Sequence, residues 1–171
     1  MDELHQQTVN LLSFQQLPKK IFDVQVAFNL VARYGEQSAP ALASIQEEIV
    51  KHYRRITPEN TLLPSLLLVQ APIFHGYAFA IHLEFSGPAD VDAVSKALSG
   101  DHVTLAQSAD ESPSNVNAAG QASALVSVLP DANAANGLWV WVAADNLRVA
   151  AMNAVECAES MSASRPRGHI Q

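Results

Sequence analysis

The segment LWVWV at residues 138–142 constrains the fold most, because it is apolar on both faces of an extended chain. Successive side chains of a strand point to opposite faces, so the three aliphatic residues share one face while Trp139 and Trp141 share the other. In a two-layer fold the chain's own helices cover only one face of a single sheet. The other face needs a cover from outside, and a second copy of the chain is the simplest one.

The clearest strand lies at residues 77–85, where large apolar side chains alternate with smaller or polar ones. This period of two is the pattern of a half-buried strand. Ala78 and Ala80 on this strand are small enough to let another surface approach closely. We therefore predict a homodimer whose interface includes Ala78, Ala80, Trp139 and Trp141.

Helices and strands are mixed along the chain without repeats. Further strands are predicted at residues 24–30, 65–69, 102–105, 123–129 and 138–143, and helices at residues 2–14, 38–56, 90–98 and 145–161. Ser38 is the predicted N-cap of the second helix, and Asp145 or Asn146 that of the last. The pattern predicts an α+β fold, with a single mixed β-sheet, helices packed mainly on one face and the other face available for dimerisation.

One domain is expected to span residues 1–161, with a leading helix and linker at residues 1–20. The Ser-, Asn- and Ala-rich residues 107–121 are predicted to form a mobile loop, and residues 162–171 a flexible tail.

The composition of the chain limits the classes of partner that it can bind. Ten Lys and Arg against 17 Asp and Glu give a net charge of -7, which argues against nucleic acid or an anionic membrane as a partner. No apolar run reaches the roughly 20 residues that span a bilayer, and the first residues lack a signal-peptide pattern. Cys157 is the single cysteine, which excludes an internal disulfide and suits a reducing cytoplasm.

Few residues carry a pattern typical of catalysis. No strand leads into a G-x-G-x-x-G turn or a P-loop, so no nucleotide is expected on this chain alone. His75 and His82 project to opposite faces of a strand and cannot share a metal, so no metal site is predicted. His82 and Glu84 share a face and form either a base with its orienter or a surface contact. Cys157 is predicted to pack in the core.

Three segments resemble one enzyme family. GLWVWVAADNLRVAAMNAVECAESM at residues 137–161 resembles the C-terminal end of aspartate-semialdehyde dehydrogenases, and FDVQVAFNLVARYG and VQAPIFHGYAFAIHLEF resemble two earlier family strands. The resemblance implies the family's second domain, an α+β unit that supplies substrate-binding residues and most of the subunit interface. It also implies that NADP and the nucleophilic cysteine belong to a preceding nucleotide-binding half.

The resemblance fails at positions that would perform chemistry. Gln70 stands where the family has its substrate-binding Arg, and Tyr77 where it has its general-base His. Gln lacks the charged guanidinium group that binds a carboxylate through two hydrogen bonds, and Tyr is a poor base at neutral pH. The resemblance implies a candidate pocket formed by Gln70, His75 and Tyr77. It also implies a weak cofactor contact by Arg148 and Asn153. These departures are most similar to the non-catalytic Usg-like paralogues.

The sequence leaves three functions open. The first is a dimerisation domain without catalytic activity alone. The second is the substrate and dimerisation half of an NAD(P)-dependent semialdehyde dehydrogenase that acts with a nucleotide-binding half. The third is a small-molecule sensor that keeps the emptied pocket.

Overall fold

The computed structural model describes residues 2–107 and 111–164. The chain forms two compact units, Met1–Phe74 and His75–Gln171. The elements in chain order are α1 (Asp2–Leu12), α2 (Leu42–Ile56), β1 (Tyr77–Glu84), α3 (Val91–Leu98), β2 (Val103–Leu105), α4 (Asn115–Ala118), β3 (Ala124–Pro130), β4 (Gly137–Ala144) and α5 (Asn146–Ser164). The α+β class and the single mixed sheet are therefore confirmed.

Two polar side chains of α1 organise the first unit, and both are buried. The carboxylate of Glu3 accepts hydrogen bonds from three consecutive backbone amides, those of Lys20, Ile21 and Phe22. The amide of Gln7 accepts from the backbone N–H groups of Val26 and Ala27 and donates to the carbonyl oxygens of Pro18 and Val24. These bonds fix an irregular segment around a small core of Leu4, Val26, Ala27, Tyr34 and Leu42.

The predicted strand at residues 24–30 is wrong, because this segment consists of turns. The amides of Val26 and Ala27 bond to Gln7 rather than to a neighbouring strand, and Phe28 adopts a left-handed φ of 54°. The predicted strand at residues 65–69 is likewise irregular. An isolated antiparallel bridge pairs Val31 with Gln70, one residue beyond the end of each stretch. The start of α2 also differs, since its N-cap is Ala41 rather than Ser38.

The second unit contains the four-stranded sheet in the order β1-β4-β3-β2. β4 pairs antiparallel with β1 and with β3, and β2 pairs parallel with β3, so the sheet is mixed. Helix α3 packs on β3 and α4 on β4. The predicted strands at residues 77–85, 102–105, 123–129 and 138–143 are all confirmed within a residue or two.

Residues 107–121 contain a short helix that the loop prediction missed. The Ser114 and Asn117 side chains form a reciprocal capping box at the start of α4. Residues 108–110 of the predicted loop lie outside the described residues, as do residues 165–171 of the predicted tail. Residues 162–164 continue α5.

Helix α5 is exposed along most of its length. Its N-cap is Asp145, whose carboxylate accepts from the backbone N–H groups of Leu147 and Arg148. Leu147, Val155 and Met161 are largely exposed. Cys157 is also exposed, so the prediction that it packs in the core is wrong. Among the described residues, no helix is long and apolar enough to cross a membrane.

Hydrogen exchange should therefore distinguish α5 from the centre of the sheet. Strand β4 has a partner on both sides and buries Leu138 and Val140, whereas α5 has little apolar cover. We expect amides of α5 to exchange at least about tenfold faster than those of β4. Exchange followed by mass spectrometry measures both segments in one sample, and equal protection would contradict the expectation.

Candidate functional site

The pairing of β1 with β4 brings the predicted interface residues onto one face of the sheet. Ala78 lies opposite Ala143, Ala80 opposite Trp141, and His82 opposite Trp139. Residues directly opposite each other in an antiparallel pair point to the same face. The pairing of β4 with β3 adds three more residues. This face, called the Trp face below, consists of Ala78, Ala80, His82, Glu84, Leu125, Ser127, Leu129, Trp139, Trp141 and Ala143.

Part of the Trp face is uncovered. Trp139 is 41% exposed and Leu129 is 51% exposed, and Ala78 and Ala80 are also exposed. Trp141 differs, because its indole Nε1 donates a hydrogen bond of 2.7 Å to the carbonyl oxygen of Pro113, just before α4. The chain itself therefore anchors Trp141, and Trp139 is the indole available to another surface.

The opposite face is covered at its centre and open at its edge. Leu138, Val140 and Val126 on β4 and β3 are buried. Phe79 and Ile81 on β1 are 44% and 42% exposed, because β1 is the edge strand of the sheet. On this face, Phe79 and Ile81 are exposed because they lie at the edge of the sheet. Trp139, on the other face, is exposed although it lies on an inner strand.

His82 is the centre of a polar cluster at the end of the Trp face. Its Nε2 lies 3.0 Å from Oδ2 of Asp131, and its Nδ1 lies 3.9 Å from Oε1 of Glu84. The imidazole and the ring of Trp139 have centroids 4.7 Å apart. The predicted pairing with Glu84 is therefore present but long, and the closer partner is Asp131, which the sequence did not indicate.

Asp131 is held as a carboxylate. A hydrogen bond from the backbone N–H of Asn133, followed by the hydrogen bond and charge of His82, lowers the pKa of Asp131 below its ordinary value. A lowered pKa in the folded state contributes stability above the unfolded pKa, and this stability is lost as the pH falls through the folded value. Asp131 therefore remains ionised around neutral pH.

Gln70, for which the resemblance predicts the position of the family's substrate-binding Arg, lies in the first unit and makes two hydrogen bonds there. Its Oε1 accepts a hydrogen bond of 2.7 Å from the hydroxyl of Tyr34, and its Nε2 donates to the carbonyl oxygen of Ala71. Burial raises the pKa of the Tyr34 hydroxyl, so Tyr34 remains a neutral donor. Both ends of the Gln70 amide therefore serve contacts within the chain.

His75 and Tyr77 lie in the second unit and are exposed. The pKa of Asp145 is lowered by backbone N–H groups, first that of Arg148 and then that of Gly120, and to a smaller extent by the charge of His75. Since Gln70 belongs to the other unit, the pocket of Gln70, His75 and Tyr77 stays a prediction.

Backbone N–H groups at the start of α5 already have a partner within the chain. A helix N-terminus binds anions through free backbone N–H groups, but here the carboxylate of Asp145 already occupies those groups and would repel phosphate. Arg148 and Asn153 are exposed on α5, and Oδ1 of Asn153 lies 4.0 Å from Sγ of Cys157. A cofactor role for these two residues stays a prediction.

Within residues 2–107 and 111–164, no group of three or more His, Cys, Asp or Glu side chains is placed to hold a metal ion. His82, Glu84 and Asp131 are arranged instead as an imidazole between two carboxylates.

The fold and the open sheet face are those of an α+β association domain, and comparison with known proteins identifies which kind. The sequence matches the family described as "Semialdehyde dehydrogenase, dimerisation domain" over residues 1–149. The chain therefore belongs to the semialdehyde dehydrogenase dimerisation-domain family.

Individual relatives agree with this assignment. The chain is 31% identical over 168 residues to an aspartate-semialdehyde dehydrogenase of Rickettsia bellii, covering 94% of this chain and 49% of that protein. It is also 31% identical over 160 residues to a USG-1 protein homolog of Azotobacter vinelandii, covering 92% and 48%. The aspartate-semialdehyde dehydrogenases and the USG-1 proteins, which the sequence resembles, are therefore both among its relatives. The chain spans about half the length of each of these two proteins.

Solved structures have the same fold. A probable aspartate-semialdehyde dehydrogenase from Pseudomonas aeruginosa superposes with a TM-score of 0.82 at 30% identity, covering 94% of this chain and 49% of that one. Aspartate semialdehyde dehydrogenase II from Vibrio cholerae gives a TM-score of 0.82 at 30% identity, covering 96% and 50%.

Proposed function

We propose that this chain is a dimerisation domain that self-associates through the Trp face and has no dehydrogenase activity alone. The observation that carries this proposal is the exposure of Trp139 and Leu129 on inner strands of the sheet. Large apolar side chains exposed together on a regular sheet face are typical of an interaction surface. The family to which the chain belongs supports a second copy as the partner.

The energetics favour such an interface. Burying an indole removes on the order of 200 Å² of surface from water, and Trp is among the residues that dominate binding energy. A two-fold axis through the Trp face would bury both copies of Trp139 and Leu129 at once. Ala78 and Ala80 leave room for the partner's side chains, so the two sheets can approach closely.

Replacing the exposed indole with a charged side chain tests the proposed interface. In Trp139→Glu the anchor is lost and two carboxylates face each other across the axis, so we expect the dissociation constant of the dimer to rise at least about a hundredfold. Sedimentation equilibrium measures this constant, and circular dichroism checks that the variant is folded.

Phe79→Glu is the matched control. Phe79 is 44% exposed, close to the 41% of Trp139, but its side chain points to the opposite face of the same sheet. This variant should dimerise as the wild type does. If Phe79→Glu dissociates the dimer and Trp139→Glu leaves it intact, the wrong face has been chosen. A wild-type chain that is monomeric at high concentration would end the proposal.

A second candidate, the substrate and dimerisation half of an NAD(P)-dependent semialdehyde dehydrogenase, is favoured by α5. The exposed apolar side chains of Leu147, Val155 and Met161 would be covered by a nucleotide-binding half, and the relatives are about twice as long as the region they share with this chain. In that setting NADP would be bound by the other half. The single exposed thiol of Cys157 suits a cytoplasmic location in either case.

A further inference from the structure

His82 lies where self-association would change its surroundings. It is directly opposite Trp139 in the pairing of β1 with β4, and its imidazole lies beside that indole at an interplanar angle of 43°. Its side chain is 29% exposed, whereas that of Asp131 is 14% exposed and that of Glu84 is 76% exposed. A partner seated on Trp139 would therefore cover the remaining open side of the imidazole.

We infer that self-association through the Trp face takes up a proton at His82, so that the dimer tightens as the pH falls through the neutral range. This inference rests on the proposed function and adds its regulation. Histidine is the side chain whose charge ordinarily changes near neutral pH.

The direction follows from the charges that face the imidazole. Glu84 on β1 and Asp131 after β3 are both carboxylates, and β4 presents only uncharged groups there, Trp139 and Gly137. With His82 neutral, each copy carries two negative charges in this cluster. Dimerisation brings two such clusters together in a chain whose net charge is already -7. Protonation of His82 reduces each cluster to a single negative charge and lowers the repulsion.

Desolvation acts in the opposite sense, because a partner that excludes water disfavours the charged imidazolium. Two contacts already present in the single copy offset this penalty, because both strengthen when the partner excludes water and lowers the local dielectric constant. The 3.0 Å contact with Asp131 supplies a charge-assisted hydrogen bond, and the Trp139 ring beside the imidazole offers a cation–π contact. The paired imidazolium therefore remains favourable inside the interface, and proton uptake is the net result.

The dissociation constant of the full chain should be measured by sedimentation equilibrium at about pH 6, 7 and 8 and constant ionic strength. If each copy takes up one proton, the dissociation constant of the dimer changes by up to about a hundredfold per pH unit. Partial uptake therefore predicts that the dissociation constant falls roughly ten- to a hundredfold from pH 8 to pH 6. His82→Gln keeps a hydrogen-bond donor for Asp131 but cannot be protonated, and it should remove this dependence.

Two further variants sharpen the test. His102→Gln is a matched control, because His102 pairs with Glu156 on α5 at 3.4 Å and belongs neither to the His82 cluster nor to the residues that define the Trp face, so this variant should keep the wild-type dependence. Glu84→Gln changes an exposed carboxylate of the cluster and should reduce the dependence without abolishing it. A wild-type dimer whose dissociation constant does not change with pH overturns the inference and leaves the proposed function standing. A His82→Gln dimer with the wild-type slope overturns it as well, whereas a monomer at every pH overturns both.

Discussion

Replacing Gln7 with Ala is expected to destabilise the first unit by about 3–5 kcal/mol, a large fraction of the stability of an ordinary domain. Gln7 is completely buried, and its amide satisfies two backbone donors and two backbone acceptors between Pro18 and Ala27. An unsatisfied buried backbone group costs about 1–3 kcal/mol, and water entering the cavity recovers part of that loss.

Gln6→Ala is the matched control on the same helix. Gln6 is exposed, and its Nε2 donates to Oδ1 of Asn10 one turn later. Such a surface contact contributes only a few tenths of a kcal/mol, so Gln6→Ala should be nearly neutral. Denaturant unfolding followed by circular dichroism compares the two variants. Equal stabilities would show that the segment after α1 does not depend on the Gln7 amide.

Glu3 provides an independent check of the same arrangement. Its carboxylate accepts three backbone hydrogen bonds with donor–acceptor distances of 2.8, 2.8 and 3.1 Å. In Glu3→Gln one oxygen becomes an amide nitrogen that points at a backbone donor, and the charge that strengthens the remaining hydrogen bonds is lost. We expect a cost of about 2 kcal/mol in the same unfolding experiment. A neutral result would contradict the assigned contacts.

These contacts explain which part of the fold the sequence could predict. The period of two at residues 77–85 and 138–143 correctly predicted β1 and β4, because these strands pair through their own backbones and place alternate residues on each face. The same period at residues 24–30 failed, because Gln7, 19 residues before Val26, takes the backbone donors that a strand would need. Local periodicity contains no information about that distant side chain.

The site shows the same limit. Strand alternation groups Ala78 with Ala80 and Trp139 with Trp141, and the register of β1 with β4 puts the two pairs on one face, whereas their place in an interface stays a prediction. The anchoring of Trp141 by Pro113 and the pairing of His82 with Asp131 join residues 28 and 49 positions apart, so neither pairing could be predicted. Helix α4 did have a local signal, the Ser114 and Asn117 capping pair, but its polar composition favoured a loop.

The isolated chain is expected to show no NADP-dependent oxidation of aspartate semialdehyde, which is the largest effect predicted here. Acyl-enzyme chemistry needs an activated thiolate, and a catalysed rate is typically at least about a millionfold above the uncatalysed one. The single cysteine, Cys157, is exposed on α5 with its Sγ 4.0 Å from Oδ1 of Asn153. The rate should therefore equal that of the buffer blank, with a full-length relative such as the Vibrio cholerae enzyme as the positive control.

Restoring the family residues should not change this result. Gln70→Arg with Tyr77→His returns the substrate-binding and general-base side chains, but it supplies neither a nucleophile nor a hydride acceptor. Gln70→Arg also removes the acceptor of the Tyr34 hydroxyl, whose hydrogen bond is 2.7 Å long, so part of the double variant's effect is expected on stability. Mixing the wild-type chain with a separately expressed nucleotide-binding half of a relative distinguishes the two candidate functions, and the double variant in the same mixture shows whether the restored side chains matter. Turnover that appears only in the mixture would favour a divided enzyme, whereas turnover by the chain alone, in proportion to its concentration, would contradict the loss of catalysis.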